Sequence, residues 1–283
     1  MTPKEAFSGG TAVITGAGSG IGEGLARVAA ELGMNVVLAD VAEDRIAALA
    51  AELNARRSGT ALPVTTDVTD KAALNRLADA AYDRFGAVRL VINNAGIETI
   101  GYSWEIPDTV WDKLLAINIS GVVHGSRIFA RRMLESGAPG YIANVASIGA
   151  LGIMPTQAPY MMSKHAVLSF TECLYLEMEL KQAPIHVSAV LPEQVNTRIF
   201  DDAPSDRASA AAEKQRAMMK TMLEQMGLTP VEAGRIILEG IAAGQFWVST
   251  HPATTAHLAK ARAAYLTALE PPKLAEEARA LVS

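Results

Sequence analysis

Tyr160 and Lys164 stand in Pro159-Tyr160-Met161-Met162-Ser163-Lys164, where Pro159 suits the first turn of a helix. The i, i+4 spacing puts phenol and ammonium on one helix face, a turn apart. An ammonium ~5 Å from the phenol, at an effective dielectric of ~20, favours the phenolate by roughly 3 kcal/mol, about 2 pKa units. A phenol lowered from ~10 in this way becomes a usable general acid or base. The same spacing is also found on many helix surfaces as a solvated pair, so alone it carries little. Here it has company: Ser147 lies just upstream, Asn93-Asn94-Ala95-Gly96 before that, and Asn118 between them.

A second constellation opens the chain. Thr15-Gly16-Ala17-Gly18-Ser19-Gly20-Ile21-Gly22 follows an apolar run and precedes a helical pattern. Glycines let a backbone approach a pyrophosphate closely, and a helix N-terminus offers unpaired N–H groups and the positive end of its dipole. The spacing is G-x-x-x-G-x-G, from Gly16, Gly20 and Gly22. The commoner G-x-G-x-x-G is not met, since its third glycine would fall at Ile21. Asp40 ends the next apolar run. A carboxylate there accepts both adenosine ribose hydroxyls and repels a 2′-phosphate, and neither Ser19 nor Val41 is basic. The reading is NAD in preference to NADP. Arg45, further on, reads as a solvated helix residue.

The elements that must hold these groups alternate. Strands are expected at Thr11–Thr15, Asn35–Ala39, Leu62–Thr66, Arg89–Asn93, Tyr141–Val145, His186–Leu191 and Phe246–Ser249. Helices are expected at 21–32, 43–57, 71–84, 108–134, 157–181, 230–243 and 254–268. Apolar strands buried on both faces, each followed by a helix, predict an α/β fold: one doubly wound, parallel, seven-stranded sheet of Rossmann type, with helices on both faces. A single domain spanning 1–283 is expected. Residues 197–228 interrupt the rhythm with Asp201, Asp202, Pro204 and Asp206, then Met218, Met219, Met222 and Met226. That segment reads equally as a substrate lid lined by methionine or as a peripheral helix whose methionines face the core. Beyond about 250 lies a C-terminal extension with a final helix around Pro271–Val282.

In this order and spacing, Thr15–Gly22, Asp40, Asp67-Val68, Asn93–Gly96, Asn118, Ser147, Tyr160 and Lys164 resemble the motifs of the short-chain dehydrogenase/reductase family, in its smaller, roughly 250-residue subgroup. The likeness runs from about residue 8 to 250. It implies that Tyr160 is the general base in alcohol oxidation and the general acid in carbonyl reduction. Lys164 would hold the nicotinamide ribose and lower the Tyr160 pKa, Ser147 would hydrogen-bond the substrate oxygen, and Asn118 would position a water leading from Lys164 to solvent. Gly16, Ser19, Gly20, Ile21, Gly22 and Asp40 would bind the cofactor. Asp67 and Val68 would meet adenine, Asn94 and Gly96 would shape the trough, and Pro192 and Val195 join the binding set. Thr197 would meet the carboxamide or pyrophosphate end. One position departs from the pattern: the usual Pro-Gly after the sixth strand is Pro192-Glu193.

The substrate is less defined. Substrate contacts are expected from Ser147, Gly149, Met154, Tyr160 and Glu193, with Ile97, Glu98, Ile148, Ala150, Ile153 and Ala158 nearby. Most are apolar, and Glu98 and Glu193 disfavour an anion. The expectation is a neutral hydrophobic secondary alcohol or ketone. Tyr102 and Trp104 are expected to pack beneath their loop rather than stack on a substrate ring. A 3-oxoacyl thioester reductase using NADPH and a non-catalytic dinucleotide-sensing protein are the alternatives.

Composition narrows the rest. The 283 residues are 50% hydrophobic and 19% charged, with net charge −5, so a sizeable core forms and no basic tract suggests nucleic acid. The uncharged stretch 136–163 is broken by Pro139, Pro155 and Pro159 and does not read as a membrane span. The amino terminus lacks a signal-peptide core, and one cysteine makes no internal disulfide, so the expected location is the cytoplasm. Cys173 is expected in the core. The five histidines show no metal-ligand spacing, and no metal is expected. Ser147 sits outside any G-x-S-x-G elbow, which argues against a hydrolase. The family resemblance implies a homotetramer or homodimer joined through the helices at 108–134 and 157–181.

Overall fold

The computed structural model describes residues 1–201 and 209–274. Seven parallel strands form one sheet: β1 (Thr11–Thr15), β2 (Asn35–Asp40), β3 (Ala61–Thr65), β4 (Leu90–Asn93), β5 (Gly140–Val145), β6 (Ile185–Leu191) and β7 (Trp247–Ser249), in the order β3-β2-β1-β4-β5-β6-β7. Every expected strand is present, within a residue at each end. The order reverses direction between β1 and β4, and there the crevice for a ligand opens at the carboxyl ends of the strands.

Side chains alternate across the sheet because the strand period is two. Ala12, Ile14, Val36, Leu38, Leu90 and Ile92 face one helical layer, and Val13, Val37, Ala39 and Val91 face the other. The first layer holds α1 (Pro3–Phe7), α2 (Gly20–Glu31), α3 (Glu43–Arg56) and α9 (Pro230–Ala242). The second holds α4 (Lys71–Phe85), α6 (Val122–Ser136) and α7 (Ala158–Leu180). α5 (Asp108–Leu115) runs into α6 through a π turn, Ala116–Gly121, so the continuous helix expected at 108–134 is broken there. The short α1 and a 3₁₀ turn at Ile148–Ala150 carry too few residues for a periodic signal.

Helix α2, whose amino end faces the crevice, is set by glycine. A Cβ on Gly24 would stand 1.9 Å from the Pro230 carbonyl oxygen, and one on Gly234 would stand 2.8 Å from the Gly24 carbonyl carbon. Only bare backbone lets α2 and α9 close to this distance. Thr229 starts α9 with a reciprocal capping box to Glu232.

α8 (Ala210–Met226) packs Ala212 and Leu223, with Met219 and Met222, against Ile100, Ile199 and Phe200. The Met218, Met222, Met226 row is not its inner face, because Met218 and Met226 are more than half exposed. Asp202, Pro204 and Asp206 lie outside the described residues. α10 (Pro252–Ala268) follows β7 and has no buried residue. Of the final helix expected around Pro271–Val282, residues 271–274 are not helical and the rest lie outside the described residues. Two packing expectations fail. Cys173 is exposed on the outer face of α7. Trp104, at 80% exposure, stacks on Tyr102 with ring centroids 5.0 Å apart rather than packing beneath its loop. Among the described residues no helix is long and apolar enough to cross a membrane.

Candidate active site

The carboxyl end of β1 turns through Gly16, at φ +68°, and Gly20, at φ +53°, into α2. A Cβ on Gly22 would come within 2.0 Å of the Gly16 carbonyl oxygen and 2.6 Å of Asn94 Nδ2. A Cβ on Gly20 would come within 3.0 Å of the Thr197 methyl, which places Thr197 across from the α2 amino end. Ser19 is the N-cap of α2, yet its hydroxyl makes no capping hydrogen bond. The turn therefore presents Ser19, Ile21 and helix N–H groups over a floor that tolerates no side chain, which suits a diphosphate. Asp40 ends β2 with its carboxylate fixed: Oδ2 accepts the Gly18 N–H and Oδ1 the Ala42 N–H, each at 2.9 Å. Past β3, Asp67 is exposed and accepts from Thr69, while Val68 is buried against the π turn at Gly121.

The Asn93–Gly96 turn is held by Thr15, whose hydroxyl accepts the N–H groups of Asn94 at 2.9 Å and Ala95 at 3.1 Å. Asn94 Nδ2 donates to the Thr15 carbonyl at 2.8 Å. Beneath it Asn93 Nδ2 donates to Asn144 Oδ1 at 2.8 Å, Ser126 bridges to the same oxygen, and Asn144 Nδ2 donates to Thr171 at 3.1 Å. This buried chain pins α6 and α7 to the centre of the sheet. Nothing in the local sequence marks Ser126 and Thr171, since only their distant partners give them work.

Ser147 is buried just beyond β5, its Oγ accepting the Gly149 N–H at 3.0 Å. Tyr160, in the first turn of α7, stands near enough to Ser147 for that hydroxyl to act on the phenol. Lys164 is 4% exposed; its Nζ donates to the Val145 carbonyl at 3.1 Å and stands 5.4 Å from the centre of the Tyr160 ring. Ser147, Tyr160 and Lys164 thus meet at the carboxyl end of β5. Asn118 arrives on the π turn. Its Oδ1 accepts the Ile97 N–H at 2.9 Å, and its Nδ2 donates to the Ile97 carbonyl at 2.9 Å and to Ser163 at 3.1 Å. Its side chain is a clamp between the Ile97 backbone and α7.

The electrostatics differ from the expectation in one respect. The Tyr160 phenol is raised, not lowered: burial dominates, the Glu98 carboxyl adds to it, and the Ser147 hydroxyl opposes. Burial also pushes Lys164 down to about 8, against the pull of Glu98. A pair treated in an effective dielectric of ~20 loses no water on folding, whereas this one does, and desolvation wins.

Pro192 and Val195 are buried after β6, and the Pro192 carbonyl accepts the Ile148 N–H at 2.9 Å, tying that loop to Ser147. Glu193 donates its N–H to Thr250 at 3.1 Å, and its carboxylate lies 3.9 Å from His251 Nδ1, with Oε2 buried and making no hydrogen bond. Gly149 is buried against Met161, while Met154 and Ile153 are exposed at the cleft rim. Glu98, expected near a substrate, is 2% exposed and held under the surface.

The chain matches the family model described as short chain dehydrogenase over residues 10–208. It is 36% identical over 197 residues to the Mycobacterium tuberculosis protein named "Probable oxidoreductase EphD", covering 70% of this chain but 33% of that one; the match spans about a third of that relative's length. It is 37% identical over 189 residues to 1-deoxy-11-beta-hydroxypentalenate dehydrogenase of Streptomyces avermitilis, covering 66% of this chain and 69% of that one. Among solved structures, a short chain dehydrogenase/reductase from Burkholderia phymatum in complex with NAD aligns at TM-score 0.91 and 33% identity, over 95% of this chain and 98% of that chain. The 3-ketoacyl-(acyl-carrier-protein) reductase of Brucella melitensis complexed with NADH aligns at TM-score 0.73 and 27% identity, over 86% and 97%.

Proposed function

The chain belongs to the short-chain dehydrogenase family, and on that premise we propose that it is an NAD-linked dehydrogenase interconverting a neutral hydrophobic secondary alcohol and its ketone. The observation that carries this reading is the meeting of Ser147, Tyr160 and Lys164 beside the glycine turn. Bound nicotinamide would supply or accept the hydride. Tyr160 gives its proton to the carbonyl oxygen in reduction and takes the hydroxyl proton in oxidation. Ser147 donates a hydrogen bond to that same oxygen and stabilises the charge developing there. Lys164 holds the nicotinamide ribose. Asn118 braces the Ile97 backbone against α7, and water beside it carries the proton from Lys164 to solvent.

Gly16, Ser19, Gly20, Ile21 and Gly22 would take the diphosphate, Asp40 the adenosine ribose, and Asp67 and Val68 the adenine. Asn94, Gly96, Pro192, Val195 and Thr197 would line the nicotinamide end. Asp40 supports NAD over NADP, as does the NAD complex of the similar Burkholderia protein. Gly149, Met154 and the neighbouring isoleucines support an apolar substrate, with Glu193 at its edge. A similar protein is named as dehydrogenase of a hydroxyl-bearing compound. Exposed Met162, Leu176 and Leu180 on α7 support a homodimer or homotetramer, readable by light scattering.

The test is the appearance of reduced-nicotinamide absorbance with NAD and secondary alcohols from short aliphatic through aryl to steroid. Turnover should favour the bulky alcohols and vanish in Tyr160→Phe. Undiminished turnover in that variant rejects the mechanism, and a best rate on short 3-hydroxy acids rejects the substrate class. A ketoacyl reductase with NADH is among the similar structures, so cofactor preference alone does not separate the thioester reading; 3-oxoacyl thioesters belong in the panel.

A further inference from the structure

Thr156 has a backbone conformation that resists threonine. Its φ is +66°, in the left-handed region where a β-branched side chain crowds its own backbone. Such a residue persists only where its surroundings hold it, and both kinds of contact it can make are used here. Its hydroxyl donates to Gln215 Oε1 on α8, and its carbonyl accepts the Gly101 N–H at 2.8 Å. Both side chains are buried, Gln215 at 1% exposure. Ala212 and Leu223, on the same helix, pack with Ile100 and Phe200, so the bond comes from a helix that is already docked.

The strained residue stands immediately before the start of α7. Gln157 is the N-cap of that helix, yet its side chain makes no capping hydrogen bond. The Gln157 carbonyl accepts the Met161 N–H at 2.9 Å, the bond that opens the helix, and Tyr160 lies within that turn. From the other side Ser163 donates to the Tyr160 carbonyl at 2.7 Å and is itself held by Asn118. With no side-chain cap of its own, α7 takes its direction of entry from Thr156.

We propose that Gln215 is a positioning residue for Tyr160: by holding Thr156 in its left-handed conformation, it sets the turn from which the phenol reaches the substrate oxygen. The inference rests on the dehydrogenase reading of Tyr160. Without the bond from α8, the steric cost at φ +66° is no longer opposed from that side, and Thr156 relaxes toward the extended backbone it prefers. The opening turn of α7 loosens with it. A reacting group misplaced by about 1 Å costs up to roughly a hundredfold in rate. α8 thus acts on the reaction through one hydrogen bond to a strained joint four residues ahead of Tyr160.

Valine and glycine at position 156 provide the test. Both delete the hydroxyl and so lose Gln215, but only valine keeps the β-branch that resists φ +66°, which glycine adopts freely. Thr156→Val and Gln215→Leu should each speed hydrogen exchange at the Met161 amide, read by NMR, by about tenfold, the order of the strain released. Thr156→Gly, alone or combined with Gln215→Leu, should keep exchange within about threefold of wild type, because glycine meets no steric cost there. Where turnover is found, kcat should follow the same pattern. It should fall roughly tenfold or more in Thr156→Val and in Gln215→Leu and recover in the double variant, with NADH affinity unchanged because the glycine turn is untouched. Valine and glycine variants that behave alike overturn the proposal, since the conformation at 156 would then have no bearing. Wild-type Met161 exchange in Gln215→Leu also overturns it, as does a defect in that variant that glycine fails to repair. If Gln215→Leu does not fold, the two single variants at 156 decide alone. Exchange needs no substrate, so absence of turnover would count against the dehydrogenase reading and leave this inference to its own result.

Discussion

Replacing Asp40 with alanine should reverse the cofactor preference. Both carboxylate oxygens accept backbone N–H groups, from Gly18 and Ala42, at 2.9 Å. Each oxygen keeps a second lone pair, enough for the two adenosine ribose hydroxyls. A hydrogen bond to an ionised acceptor nets roughly 1.5–3 kcal/mol, so two at the low end are worth about 3 kcal/mol, or about a hundredfold in NAD affinity. The carboxylate also repels a 2′-phosphate. At ~4 Å and an effective dielectric of ~20 each unit of charge adds ~4 kcal/mol, and even heavily screened this leaves a tenfold gain for NADP on its removal. The ratio of NAD to NADP affinity should therefore fall by about a thousandfold. Arg45 rises from the same turn, its Cβ 3.4 Å from where a Gly18 Cβ would stand, and is well placed to favour the phosphate. Fluorescence titration with NADH and NADPH measures both constants, alongside a thermal melt, because the lost ties to Gly18 and Ala42 cost about 3 kcal/mol of stability at the low end of that range. A ratio within threefold of wild type would refute the assignment of Asp40 to the ribose.

Other changes separate the cofactor floor from the scaffold. Gly22→Ala puts a methyl 2.0 Å from the Gly16 carbonyl oxygen, so calorimetry should find no NAD binding in protein that remains folded by circular dichroism. Gly24→Ala puts one 1.9 Å from the Pro230 oxygen, away from the turn, and should lower Tm by several degrees, an overpacking cost of roughly 1–3 kcal/mol, with NAD affinity little changed in the folded fraction. Asn144→Ala strands Asn93 and Ser126 and should cost roughly 2–4 kcal/mol in urea denaturation. Carbonyl reduction needs Lys164 charged and Tyr160 protonated. Burial holds the Tyr160 proton and weakens that of Lys164, so kcat/KM for reduction should be flat at neutral pH and fall as pH rises through about 8.

What could be read from the residues, and what could not, divides by range. β1 through β7 were legible because β-branched runs buried on both faces have no other stable home, and Gly16–Gly22, Asp40, Ser147 and Tyr160 follow because they stand at the ends of those runs. The i, i+4 pairing of Tyr160 with Lys164 was legible as geometry but misleading as electrostatics: spacing reports the attraction of a pair and is silent on the water both members lose. Asn118 was found, but its bonds to Ile97 and Ser163, and the π turn that aims them, come from partners far along the chain. The methionine row failed for a related reason. α8 has apolar side chains at both 218, 222, 226 and 212, 219, 223, and only Ile100 and Phe200, from other segments, decide which row is covered. Glu98 joins both failures: from the residues it reads as lining the cleft, and the fold holds it under the surface at 2% exposure. In this fold the residues at the strand ends sit where local pattern places them, while the burial that shifts Tyr160 and Lys164 comes from segments elsewhere in the chain.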